Sequence, residues 1–236
     1  MRYAIFFTPP RGAQLLGLAH GWIGRDAFTG EATPVQPIAQ LSPVEIIDFS
    51  SFPRLYGFHA TLKAPFRLRE GQSVDALRTA VDQWVRITPP AAIDVLQLKR
   101  LGAHFALMPQ APCADVNALA ASCVRHFEPF RAALTDAEIE RRRPAQLTDQ
   151  QRAYLLDYGY PYVFDAFRFH MTLTRAVSEE EADTIGAALQ HHFAPLLGKP
   201  LAIDGVGLFC QPENGANFTI EHYAPLGGGG ESQDNV

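Results

Sequence analysis

Two stretches of this chain, Phe58-His59-Ala60-Thr61-Leu62 and Phe169-His170-Met171-Thr172-Leu173, share one pattern, F-H-x-T-L, and lie 111 residues apart, from 59 to 170. With 8 histidines, 12 threonines and 24 leucines in 236 residues, random order gives about 0.04 copies of H-x-T-L. That is before a phenylalanine or a second copy is demanded, so chance is a poor explanation. The spacing is nearly half the chain, and each copy reads as part of a strand with a helix after it. An internal duplication of one α/β unit accounts for both facts.

The rest of the chain reads as alternating elements. Strands are expected at 2–8, 54–66, 93–98, 104–108, 164–175, 201–210 and 217–223. Helices are expected at 12–24, at 73–86, at 115–134 with a bend at Pro129, at 147–158 and at 178–193, and a further one starts at Ser42-Pro43. The polar stretch 25–43 reads as a surface loop. The charged stretch 136–144, with Arg141-Arg142-Arg143 offset by Glu138 and Glu140, reads as a solvated connector. Residues 227–236 form an expected flexible tail, and 1–226 one domain of two interleaved lobes.

Side chains alternate across a strand, so period two decides what each copy presents. In the first, Phe58, Ala60 and Leu62 share an apolar face, opposite His59, Thr61 and Lys63. In the second, Phe167, Phe169, Met171 and Leu173 lie opposite Arg168, His170, Thr172 and Thr174. Histidine, threonine and lysine cannot be buried without hydrogen-bond partners except at a cost of several kcal/mol, so these faces need water, partners or a ligand. Two such strands facing each other suit chemistry at a phosphodiester. One imidazole takes a proton from water or a ribose hydroxyl while the other, protonated, gives one to the leaving oxygen. Threonine hydroxyls on the same face donate to the non-bridging oxygens. No metal or other cofactor is required. A single strand histidine is most often structural, and matched copies in matched contexts reverse that expectation.

The stretches Tyr56-Gly57-Phe58-His59-Ala60-Thr61-Leu62-Lys63-Ala64-Pro65-Phe66 and Tyr158-Gly159-Tyr160 through Thr174 resemble the two-histidine (2H) phosphoesterase superfamily. Its members include RNA 2′,3′-cyclic phosphodiesterases and RNA 2′-5′ ligase-like proteins. Within it they resemble a branch of unknown function whose genes often sit among those for phosphonate degradation through the carbon-phosphorus lyase pathway. The resemblance implies a bilobal α+β fold, with two mostly antiparallel sheets facing a central cleft and helices outside. It also implies His59 and His170 as general acid and base, with Thr61 and Thr172 on the phosphate. Lys63, Arg168, Thr174, Tyr56 and Tyr158 are candidates for contacting substrate, and Tyr160 and Tyr162 stand in the same aromatic run. His104, on an expected strand, would be a third ligand if the site held zinc. That reading leaves the threonines unexplained, and no cysteine or carboxylate shows ligand spacing.

A net charge of −5 and a pI near 5.9 disfavour a protein that coats long nucleic acid, but a local cationic cleft still suits a small phosphate ester. The longest apolar runs are a few residues, against about 20 for a membrane span, and the N-terminal one is too short for a signal peptide. Cys113, Cys123 and Cys210 form no C-x-x-C pair, which argues against a disulfide framework and makes the cytoplasm the default compartment. The expected molecule is a monomeric hydrolase of a small cyclic phosphodiester linked to phosphonate metabolism, such as a phosphoribosyl cyclic phosphate. The alternatives are an RNA 2′,3′-cyclic phosphodiesterase or 2′-5′ ligase-like enzyme, and a non-catalytic nucleotide- or RNA-end-binding protein.

Overall fold

A computed structural model describes residues 1–228. In chain order its regular elements are β1 (Arg2–Phe7), α1 (Gln14–Ile23), α2 (Pro43–Phe49), α3 (Ser51–Tyr56), β2 (Ala60–Phe66), α4 (Val74–Ile87), β3 (Ala91–Ile93), β4 (Leu96–Leu101) and β5 (His104–Pro109). There follow α5 (Ala114–Phe127), α6 (Asp136–Arg141), α7 (Asp149–Tyr158), β6 (Met171–Thr172), α8 (Glu179–Phe193), β7 (Leu201–Ile203), β8 (Gly205–Gln211) and β9 (Thr219–Pro225). The expected tail lies, beyond residue 228, outside the described residues. No described helix is long and apolar enough to cross a membrane.

The strands form three sheets, ordered β2-β1-β8-β9, β4-β5-β6 and β3-β7, and every pairing is antiparallel. This is an α+β fold with helices on the outer faces. The four-stranded sheet carries the first motif on β2 and is backed by α4 and α5. The three-stranded sheet carries the second motif on β6. On its covered side α8 packs so closely that a Cβ on Gly186 would stand 3.2 Å from the Phe105 ring, and Trp22 of α1 donates its indole N–H to the Leu173 carbonyl at 2.8 Å. The core is continuous between the two motif regions: Phe7 of β1 meets Phe169 with ring centroids 5.9 Å apart, and β2 and β6 come together.

Helix starts are written locally. Ser42 with Glu45, Thr135 with Glu138, Thr148 with Gln151, and Ser178 with Glu181 each form a reciprocal capping box, satisfying two otherwise orphaned N–H groups at each start. One of them turns part of the expected connector 136–144 into the short helix α6.

Four expectations about element boundaries need correction. Residues 54–56 belong to α3, because Pro53 is tolerated in a first helical turn and Gly57, at φ 77°, ends the helix; the strand begins at Ala60. The expected strand 164–175 shrinks to Met171–Thr172, since β5 pairs only at Ala106 and Leu107 and Phe164 takes a positive φ of 54°. The expected helix 115–134 ends at Phe127, and a single 3-10 turn follows at Glu128–Phe130 around Pro129. The expected strand 201–210 divides at Asp204 between two sheets.

Candidate active site

His59 stands one residue ahead of β2, in the turn that closes α3. Gly57 has φ 77° and ψ 172°, a conformation essentially reserved for glycine, and a Cβ there would lie 2.5 Å from the Ala27 Cβ. This turn aims the Gly57 carbonyl at His59 Nδ1, 2.9 Å away. A carbonyl can only accept, so Nδ1 carries the proton and Nε2 of the neutral ring is left as a free acceptor. Phe6 and Tyr56 flank the imidazole, with centroids at 4.1 and 5.5 Å. Burial pushes the His59 pKa down to about 4; the bond to Gly57 opposes the shift and the nearby His170 adds to it.

His170 repeats this arrangement. It stands one residue ahead of β6, and its Nδ1 donates to the Arg168 carbonyl, two positions earlier, at 2.6 Å. Burial lowers its pKa, the Arg168 bond opposes, and His104 lowers it further. His104 has the same tether in another guise, with Nδ1 3.0 Å from the Thr174 carbonyl. Three imidazoles therefore share one electrostatic neighbourhood, and no carboxylate is among the groups that shift His59 or His170. Among the described residues no group of three His, Cys, Asp or Glu is arranged to hold a metal ion, so His104 does not stand as the third ligand of a metal site.

Cross-strand partners point their side chains to the same face, which locates the threonines. Thr61 pairs with Phe6 and Thr172 with Ala106, the first on the face opposite α5 and the second on the face opposite α8, and both threonines are half-buried. Tyr56 is at the site, stacked between His59 and Phe218, the latter at 5.1 Å and 15°.

The side chains of the other candidates make contacts of their own. Lys63 is 2% exposed and points into the helix-covered side, where Nζ donates to the Glu128 carboxylate and, at 3.3 Å, to the Val124 carbonyl. The cause is a β-bulge: Phe6 pairs with Thr61 but the adjacent Ile5 pairs with Lys63, so Leu62 is an extra residue and the alternation reverses after it. Thr174 is fully buried, and its hydroxyl accepts the Phe105 N–H at 2.9 Å, replacing a ladder bond where β6 stops. Tyr158 packs edge-on against Phe164 and Tyr154, at 4.7 and 6.3 Å, in a cluster of its own. Arg168 is exposed, and its guanidinium folds back to donate to the Asp165 and Phe167 carbonyls at 2.8 and 2.6 Å. Burial raises the Tyr160 pKa, and Tyr56 is among the groups it feels.

The aromatic Phe6 under His59 escaped the sequence reading. Its signal was the pair Phe6-Phe7, which must send one ring to each face of a strand. His104 was read only as a metal ligand, because nothing local ties it to the second motif.

The family described as Protein of unknown function (DUF1045) matches residues 61–219, more than half of the chain. The chain is 35% identical over 234 residues to a protein named ribose 1,5-bisphosphate phosphokinase PhnN from Janthinobacterium sp. (strain Marseille), covering 98% of this chain and 52% of that protein. It is 31% identical over 226 residues to the protein of that name from Laribacter hongkongensis (strain HLHK9), covering 93% and 50%. The chain thus spans about half the length of the curated relatives it matches. Among solved structures it is similar to E. coli LigT complexed with 3'-AMP, at a TM-score of 0.44 and 13% identity, over 95% of this chain and 97% of that one. From the match over residues 61–219, this chain belongs to the DUF1045 family.

Proposed function

We propose that the protein is a metal-independent phosphoesterase of the two-histidine type that hydrolyses a small cyclic phosphodiester, with His59 and His170 as base and acid. One observation carries this reading: each histidine precedes a motif strand, spends Nδ1 on a carbonyl two residues earlier and leaves Nε2 free, and His170 is among the groups that act on His59. His59, pushed down to about 4, stays neutral and serves as base. It accepts a proton from water through Nε2 as the water oxygen bonds to phosphorus. The ester P–O bond opposite breaks, and the His170 imidazolium gives its Nε2 proton to the leaving oxygen. One water is consumed, a phosphomonoester and a hydroxyl are formed, and the two rings return to their starting states by exchanging protons with solvent. Thr61 and Thr172 donate to the non-bridging oxygens as charge builds.

A phosphorylated ribose is the substrate core that fits best, as in phosphoribosyl cyclic phosphate. The name of the curated relatives, ribose 1,5-bisphosphate phosphokinase PhnN, supports this, although it describes phosphorylation and belongs to proteins about twice as long. The test is a screen of cyclic and linear phosphodiesters, including the cyclic phosphate of ribose 5-phosphate and 2′,3′-cyclic oligonucleotides. His59→Ala and His170→Ala should each lower kcat about a hundredfold or more, with chelators having no effect. Unchanged turnover in either variant, or activity lost to chelator and restored by zinc, would overturn the reading. Preferential turnover of oligonucleotides would move the substrate to RNA ends.

A further inference from the structure

We infer that His104 binds a second anionic group of the substrate, so that the site is built for a cyclic phosphate ester bearing a further phosphoryl group. The inference rests on the phosphoesterase reading and deepens it. Ala106 pairs with Thr172, and Leu101 of β4 with His104. Because residues two apart share a face, His104, Ala106 and Thr172 stand together on the face away from α8, while the intervening Phe105 meets Gly186 of that helix. His104 is one same-face step from Ala106, about 7 Å along the strand at 3.4 Å per residue. That is too far to share an oxygen with Thr172 and suits a second group on the same small molecule.

The His104 side chain is set up for an anion. Nδ1 donates to the Thr174 carbonyl, and Nε2 has no hydrogen-bond partner among the described residues. Phe52, itself 49% exposed, lies against the ring at 5.8 Å and links it through Tyr56, at 5.7 Å, to the neighbourhood of His59. Two histidines of the chain have acidic partners, His20 with Asp26 and His222 with Asp82; His104 has none within ion-pair distance among the described residues. An arriving phosphate therefore meets no competing carboxylate there. With Nδ1 spent on the Thr174 carbonyl, Nε2 is the atom left to meet a phosphate oxygen, to which it donates when it carries a proton.

The experiment compares two substrates, the cyclic phosphate of ribose 5-phosphate and the same cyclic phosphate of ribose without its second phosphate, on wild type and His104→Gln. The expected result is a KM raised about tenfold or more for the first substrate, in line with loss of a charged hydrogen bond. The KM for the second substrate should be unchanged, and any change in kcat from the loss of the imidazole beside His170 should be the same for both substrates. Equal rises in KM on both substrates, or no rise on either, would overturn the inference. Calorimetric binding of ribose 5-phosphate to the same two proteins decides the matter without turnover: the affinity should weaken about tenfold in His104→Gln, and an unchanged affinity refutes the assignment. If wild type hydrolyses neither cyclic substrate, the phosphoesterase reading fails, and the binding arm still judges His104.

Discussion

Removing Glu128 should harm this protein more than removing Lys63, the cation that Glu128 partners. The two belong to a buried cluster in which the Glu128 carboxylate sits between two cations, Lys63 at 2% and Arg131 at 8% side-chain exposure. Arg131 Nε donates to Glu128 at 2.7 Å, and its NH2 donates to the Asp157 carbonyl at 2.9 Å, tying β2, the end of α5 and α7 together. Burial lowers the Lys63 pKa and Glu128 opposes that shift, so the carboxylate is what keeps the ammonium charged. Glu128→Gln leaves two buried cations without their counter-ion, which costs about 3–5 kcal/mol. Lys63→Met removes one cation together with its desolvation and leaves the Arg131 pair intact; the loss of its bond to the Val124 carbonyl costs about 1–3 kcal/mol. At roughly 2–4 °C per kcal/mol for a chain of this size, Glu128→Gln should lower Tm by about 6–20 °C and Lys63→Met by clearly less. The assay is thermal unfolding followed by circular dichroism, with steady-state kinetics alongside. The reasoning is refuted if Lys63→Met leaves Tm unchanged and raises KM tenfold, because Lys63 would then face the substrate after all.

Two further outcomes follow from the site. His59 is pushed down to about 4 and His170 below 6.5, so in the proposed roles His59 is ready as base above about pH 4 and His170 is protonated as acid only below its lowered pKa. The kcat/KM profile should therefore peak below pH 6.5 and fall about tenfold per unit above it, while the kcat profile shifts upward because bound phosphate favours the imidazolium. A flat profile from pH 5 to 9 is the contrary result. Gly57→Ala places a Cβ 2.5 Å from Ala27 at a φ that costs about 1–3 kcal/mol for a residue with a side chain. Kinetics and Tm measured together should show kcat falling at least tenfold as the carbonyl that holds His59 moves, and wild-type kcat in a folded Gly57→Ala protein would show that the turn does not orient the ring.

The spacing of the repeated F-H-x-T-L, the alternation of His59 with Thr61 and of His170 with Thr172, and the serine helix starts at 42 and 178 were legible in the chain. Each depends on residues within a few positions of one another. By itself the sequence thus determined two motif strands with apolar and polar faces and a pair of imidazoles. Tertiary structure alone decided what shares a face with them. The bulge at Leu62, set by pairing with β1, turned Lys63 from the face shared with His59 and Thr61 into the core. The shortness of β6, set by how little of β5 it pairs with, buried Thr174 in the ladder. The register of β4, β5 and β6 brought His104 to the second motif from 66 residues away, counted from 104 to 170. The reason is physical: side-chain direction along one strand follows from local geometry, whereas bulges, strand ends and cross-strand neighbours are set by hydrogen bonds between segments distant in the chain.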